Sequence, residues 1–312
     1  MRPVQMVLIS ARPPALGQTL RHVARFMPWI SEAVVACPGR LMDEMEREAR
    51  AVPVRLLSDE AVTGSSPEEL AAMEHAPRNM VLLEGLIGSD VVAPTFVMSD
   101  DDYRPMIPID ASFFGDDDRH RLYFSYDLER WVSEGTSFDD AQLATRDALV
   151  SLGLPLRSYA AHMPQVIDRD LWRASAAVAG DVTTAAVCQW SFYGNWAPAQ
   201  DPGRFLDPQP YETLCWPQWP GQWRRDVVPP RYSFENHHPE MYGDTSLFTG
   251  LPTEPVDEPE SLRDTKVSRW HDAERHIERL EFHRVPGNPW TTSTLRRIYH
   301  GGRRLLRRLT RR

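Results

Sequence analysis

The stretch PTFVMSDDD, residues 94–102, places three consecutive aspartates directly behind a short apolar run. The apolar part reads as a buried strand, and its neighbours decide what kind of sheet it joins. Upstream, VQMVLIS (4–10), EAVVACP (32–38) and VRLLSD (54–59) read as strands. Between them, ALGQTLRHVARFM (15–27) and RLMDEMEREAR (40–50) read as amphipathic helices. SPEELAAMEHA (66–76), with Ser66 as N-cap and Pro67 at the first helical position, and MVLLEGLI (80–87) supply two more helices. Short apolar strands alternating with helices demand parallel pairing through right-handed crossovers. The expected fold is therefore α/β, a mostly parallel Rossmann-like sheet flanked by helices.

In such a sheet, ligands collect outside the carboxyl ends of the strands, where strand order reverses. Asp100, Asp101 and Asp102 fall at such an end. Clustered carboxylates repel one another unless a cation neutralises them, and a hard divalent ion with Asp ligands and substrate phosphates is the usual solution. Side chains alternate along an extended segment, so Asp100 and Asp102 are expected to face the metal, Mn or Mg, and Asp101 to point away. The competing reading is an acidic turn; GDDD (115–118), which has no strand before it, illustrates that case.

Beyond Asp102 the rhythm changes. RLYFSY (121–126) reads as a strand, while SFDDAQLATRDALVSLG (137–153) and DRDLWRASAAVAG (168–180) read as helices. Residues 189–260 are dense in Trp, Pro and Tyr with little periodicity, which predicts an irregular aromatic-rich C-terminal half. Trp190, Phe192, Tyr193, Trp196, Trp216, Trp219 and Trp223 serve there either as core packing or as walls of an acceptor cleft. One cooperative unit over 1–290 is expected, in two halves: 1–104, which carries the strand ends where a ligand collects, and 105–290.

The formal net charge is -9, from 35 basic and 44 acidic residues, but residues 295–312 hold eight arginines and no acid. The rest is thus about -17, which argues against broad nucleic-acid binding. The tail 291–312 reads as a basic amphipathic helix suited to peripheral membrane contact. Attraction to nucleic acid and a plain solvated tail are its alternatives. No apolar run long enough to span a bilayer and no signal pattern occur, so a cytoplasmic location is expected. Three widely spaced cysteines predict neither a disulfide framework nor a zinc knuckle.

A nucleotide-binding α/β half that ends in a strand and a D-x-D element resembles the GT-A class of glycosyltransferases, and SDDD matches that element. TLRHVARFMPWISEAVVAC, APRNMVLLEGL, FVMSDDDYRPMIPIDASFF and AAHMPQVIDRDLW, over roughly 19–172, also resemble the successive blocks of the Stealth family of sugar-1-phosphate transferases. VLISARPPALG has no counterpart of that family's opening Thr-Trp-Val-Asp-Gly block, and Ser99 stands where it has Asn. Transfer of the sugar alone is therefore the preferred expectation.

These resemblances imply a nucleotide-diphosphate sugar as donor and a glycan, lipid-linked or polymer acceptor. Ser10 and Arg12, at the end of the first strand, are expected beside the nucleotide, with Arg12 either on a phosphate or in a surface turn. Arg78 and Asn79, expected at a break between two helices, approach the sugar or diphosphate, or Asn79 merely caps a helix. His162 maps onto the Stealth H-x-P histidine, as acid, base or phosphate ligand. In SFENHHPEMYGD (233–244), His238 is expected to complete a metal shell with Asp100 and Asp102, and Glu235 or Glu240 to act as base toward an acceptor hydroxyl. The competing reading of that segment is a polar loop with capping residues. A non-catalytic carbohydrate-binding protein and a transferase acting on DNA are the remaining alternatives.

Overall fold

A computed structural model describes residues 4–116, 119–131, 133, 135–214 and 229–284. The N-terminal half alternates as the apolar pattern predicts: β1 (Val4–Ile9), α1 (Pro13–Phe26), β2 (Ile30–Cys37), α2 (Met42–Glu48) and β3 (Val54–Ser58). Three helices follow, α3 (Asp59–Thr63), α4 (Pro67–Ala72) and α5 (His75–Ile87), and then β4 (Thr95–Asp100) and β5 (Tyr103–Pro105). Later come β6 (Tyr123–Phe124), β7 (Tyr126–Asp127), α6 (Ser137–Ser151), β8 (Arg157–Ser158), β9 (Gln165–Asp168), α7 (Arg169–Val182) and α8 (Gln189–Gln200). The last described elements are β10 (Gln209–Pro210), β11 (Thr213–Leu214), β12 (Phe234–Asn236) and α9 (Pro259–Arg284).

The central sheet has the order β3-β2-β1-β4-β9. Its first four strands are parallel, and β9 runs antiparallel to β4 along the edge. Strand order therefore moves outward from β1 through β2 to β3 and then jumps back across β1 to β4. That reversal opens a crevice at the carboxyl ends of β1 and β4, where Ile9 stands opposite Asp100. The central strands are buried on both faces; Met6, Val7, Leu8 and Val34 are fully buried and pack with Leu16, Leu20 and Val23 of α1. A second sheet, β11-β12-β5, follows directly from the aspartates because β5 starts at Tyr103.

Local chemistry accounts for the helix ends. Ser66 and Glu69 form a capping box on α4, as do Thr136 and Asp139 on α6. α6 stops at Gly153, whose φ of 66° only glycine adopts freely, and Leu154 N donates back to Leu149 O at 3.0 Å. One expected boundary moves. The break lies at Met73–Glu74, and Arg78 and Asn79 sit inside α5 rather than between two helices. Pro77 permits this because its missing N–H falls among the first-turn groups that have no helical acceptor.

A second correction concerns 189–200, expected as irregular. It is the helix α8, bearing Trp190, Phe192, Tyr193 and Trp196, with Pro198 near its end. Phe192 and Tyr193 are 1% exposed, so they are core rather than cleft wall. α8 is sunk between other elements and buries most of its circumference, which erases the amphipathic period. Its polar residues complete a strand edge: the Asn195 amide brackets Arg157 (Arg157 N to Oδ1, 3.1 Å; Nδ2 to Arg157 O, 2.7 Å), and Ser191 Oγ accepts from Tyr159 N. Gly194 makes this seat possible, since a Cβ there would lie 2.4 Å from the Tyr159 ring. Gly194→Ala is expected to cost roughly 1–3 kcal/mol through overpacking; an unchanged melting temperature would refute this.

α9 was not foreseen, and Trp270 on it is fully buried. Trp216, Trp219, Trp223, Cys215 and the tail 291–312 lie outside the described residues, as do the last two aspartates of GDDD. No helix among the described residues is long and apolar enough to cross a membrane.

Candidate active site

The crevice at the reversal is lined by the end of β1, the aspartates after β4, the turn carrying His162, and the chain leaving β12. Asp101 is 4% exposed and turned inward to β1. Its carboxylate accepts from Ser10 Oγ at 2.6 Å and from Arg12 Nε at 3.2 Å, and its carbonyl accepts from Thr19 Oγ1 at 2.6 Å. Arg12 Nη2 also donates to Asp101 Oδ1 and, at 2.8 Å, to Asp102 Oδ2. Ser10 and Arg12 thus stand at the crevice, with their polar groups already committed to aspartates.

Asp100 and Asp102 are half-buried, unlike Asp101. Burial, together with the neighbouring charges of Asp102 and Asp101, pushes the Asp100 carboxyl up to about 7, although Tyr103 and Arg12 oppose this. His162 packs edge-on against Tyr103, with ring centroids 5.9 Å apart, and takes a φ of 51°, a left-handed conformation rare outside glycine. Burial lowers its pKa, the Asp102 charge raises it, and His238 lowers it again. His162 and His238 therefore lie within electrostatic reach of one another, and His162 within that of Asp102. His238 Nε2 pairs with Asn236 Oδ1 at 2.7 Å, and His237 N donates to Asp102 O at 2.8 Å, tying β12 to the aspartate turn.

Among the described residues no three Asp, Glu, His or Cys side chains are placed to hold a metal ion. The donor chemistry nonetheless suits one. Two half-buried carboxylates, one of which resists ionisation beside the other, and a nearby imidazole match the oxygen and nitrogen preferences of Mn or Mg. At present the cation on Asp102 is Arg12.

Glu235 departs from its expected role as a base. It is 2% exposed, and its Oε2 accepts from Lys266 Nζ at 2.8 Å and Tyr242 Oη at 2.6 Å. Burial alone would raise its pKa, but Lys266, His237 and Tyr242 hold it down to about 2. A carboxylate so placed is an internal counter-ion, and β12 puts it there by pairing Glu235 with the fully buried Arg104 of β5. Arg104 Nη2 in turn donates to Gln18 Oε1 at 2.7 Å. Burial and the Arg104 charge push His237 down to about 3. This buried network beneath the crevice is what the linear pattern missed; its one signal was Lys266, the only lysine in the chain.

Glu240 is exposed on the short turn Pro239–Tyr242, just after His238. Arg78 and Asn79 are half-buried in the first turns of α5. α5 packs against α3, the helix that directly follows β3. Arg78 acts there on the buried Asp59 beyond β3, whose carboxyl burial and Glu60 raise to about 6, while Asn79 Nδ2 meets His75 Nε2 at 3.3 Å.

No family model matches the chain, and no curated protein matches it, so the Stealth resemblance rests on its own sequence blocks. Solved structures similar to this chain include mouse xyloside xylosyltransferase 1 in its apo form, at 7% identity and a TM-score of 0.44, over 76% of this chain and 98% of that one. The galactosyltransferase LgtC in complex with donor and acceptor sugar analogs is 12% identical with a TM-score of 0.44, over 85% of this chain and 96% of that one. Glucosyl-3-phosphoglycerate synthase from Mycobacterium tuberculosis, in complex with Mn2+, UDP and phosphoglyceric acid, is 17% identical with a TM-score of 0.33, over 55% of this chain and 57% of that one.

Proposed function

We propose that this chain is a metal-dependent glycosyltransferase that moves a sugar from a nucleotide-diphosphate sugar to a glycan, lipid-linked or polymer acceptor. The observation that carries this reading is the aspartate cluster at the β1/β4 reversal, with His162 packed on Tyr103 beside it. Asp100 and Asp102 would hold Mn or Mg together with the donor diphosphate, whereas His238, expected to complete the shell, is paired with Asn236 and does not form a three-residue cluster with them. The ion would supply Lewis-acid stabilisation of the departing diphosphate.

The remaining work falls to the chain itself. Asp101 fixes Ser10 and Arg12 at the end of β1, where Arg12 can reach a phosphate. Arg78 and Asn79, in the first turns of α5, would offer polar groups to the nucleotide or sugar. His162, held neutral by burial, is able to accept a proton from an acceptor hydroxyl, and exposed Glu240 is the second candidate for that step. A sugar-1-phosphate transfer of the Stealth type is favoured by one observation, the position of His162 against Tyr103 beside the aspartates. The leaving nucleotide, a monophosphate rather than a diphosphate, separates the two.

Melting the protein against UDP-, GDP- and ADP-sugars, with and without Mn, tests the reading. One nucleotide class is expected to raise the melting temperature only when Mn is present, as a ligand at a hundred times its Kd adds about 2.7 kcal/mol. Equal stabilisation with a chelator present would point to metal-independent sugar binding. No shift with any donor would remove the proposal.

A further inference from the structure

Within the chain Arg12 already sets one positive charge against two of the three aspartates, Asp101 and Asp102, and the arrangement is lopsided in an informative way. Asp101 keeps Ser10 on its carboxylate whether or not the guanidinium is present, and its carbonyl keeps Thr19. Asp102 has Arg12 as its only side-chain hydrogen-bond partner among the described residues. The Arg12 side chain is 53% exposed, whereas that of Asp102 is 16% exposed and that of Asp101 5%. The cation can therefore leave through solvent without unpacking the core, and the carboxylate cannot follow it. Arg12 also directly precedes the two prolines, Pro13 and Pro14, that open α1, so its backbone is anchored; its side chain is held by Asp101 through Nε and Nη2, and only Nη2 reaches Asp102.

We propose that Arg12 is a displaceable counter-ion: a divalent cation and Arg12 compete for the Asp102 carboxylate, and the diphosphate of an incoming donor takes the released guanidinium. This deepens the nucleotide-sugar reading and rests on it. A guanidinium and a divalent ion bound at once to the same carboxylate repel each other, so either alone is favoured there. The planar fork of Arg matches a phosphate as well as it matches a carboxylate, so the transfer exchanges one charge-assisted pair for another. Metal and nucleotide then bind with positive coupling, because each removes the obstacle to the other. The exchange also keeps the site from gathering uncompensated negative charge before a donor arrives.

Calorimetric titration of the full chain with Mn2+ alone, and then in saturating UDP or GDP, tests the competition. Arg12→Gln is expected to bind Mn2+ alone roughly tenfold more tightly than wild type, equivalent to about 1.4 kcal/mol, and to bind the nucleotide diphosphate more weakly. Arg12→Lys, which keeps the charge, is expected to retain the weak Mn2+ binding of wild type. Its melting curve also guards against a folding defect from altered contacts to Asp101. A residue that served only to brace Asp101 would lower Mn2+ affinity on removal, and one that served only phosphate would leave it unchanged. Either result, with Mn2+–nucleotide binding intact in wild type, overturns the competition alone. Absence of Mn2+ binding in wild type under every nucleotide condition overturns the donor-site reading, and the competition with it.

Discussion

Lys266→Met is expected to destabilise the protein by about 3–5 kcal/mol, because it strips the partner from a buried carboxylate. Of 35 basic residues Lys266 alone is a lysine, and it is 2% exposed. Its Nζ lies 2.8 Å from Glu235 Oε2 and 5.2 Å from the centroid of the Tyr242 ring. A slender stem ending in a compact charge fits this crowded place, whereas the broad guanidinium fork does not. Lys266→Arg is therefore also expected to destabilise. Breaking the pair costs more than removing it, but Glu235 also faces buried Arg104, so Glu235→Leu combined with Lys266→Met should recover only part of the loss.

The effect of pH on that variant has a definite sign. Glu235 titrates below an ordinary glutamate, so its ionised form adds stability that is complete above the usual value near 4.3 and lost as pH falls toward 2. Without Lys266 that contribution shrinks, and the gap in melting temperature between wild type and Lys266→Met should narrow as pH falls from about 4.3 toward 2. Chemical denaturation at several pH values measures it. A Lys266→Met protein as stable as wild type at pH 7 would show that the pair contributes nothing.

Why the first hundred residues were readable and the network around Lys266 was not follows from the range of the forces involved. β1, β2 and β4 are buried on both faces, so their sequences are continuous apolar runs, and the helices between them carry local caps such as the Ser66–Glu69 box. The reversal at β1/β4 then fixes where a ligand goes, and the position of Asp100–Asp102 follows from strand ends alone. Beyond Asp102 the determinants become long-range. Glu235 reads as an exposed acid in a polar loop until β12 pairs it with Arg104, 131 positions earlier, and α9 brings Lys266 onto it. α8 escaped for the opposite reason, since burial around most of its circumference leaves no period to detect. Strict alternation, which was expected to turn Asp101 away from Asp100 and Asp102, presumes an extended segment, whereas Asp101 and Asp102 lie in a turn and their carboxylates meet on the same Arg12 Nη2. What alternation could not supply is the identity of the partners to which Asp101 turns, Ser10 and Arg12.

That division of the trio yields the sharpest expected contrast between two neighbouring residues. Asp102→Ala should leave the fold intact, because Arg12 retains Asp101 and the His237 N–H bonds the Asp102 backbone carbonyl, which alanine keeps. Metal-dependent nucleotide binding and transfer should fall by on the order of a hundredfold or more, since even outer-shell partners of metal ligands cost 10–100-fold. Asp101→Ala should act the other way round. It removes a buried acceptor of two side chains, leaves Ser10 Oγ and the Arg12 guanidinium short of partners, and costs roughly 1.5–3 kcal/mol of stability, as is typical of hydrogen bonds to charged groups. Thermal melts report the second effect, and nucleotide calorimetry with and without Mn reports the first. If Asp102→Ala binds nucleotide diphosphate and Mn as tightly as wild type, the carboxylate is not part of a donor site. If Asp101→Ala melts unchanged while losing binding, the roles within the trio are reversed, and the buried residue is the one that meets the ligand.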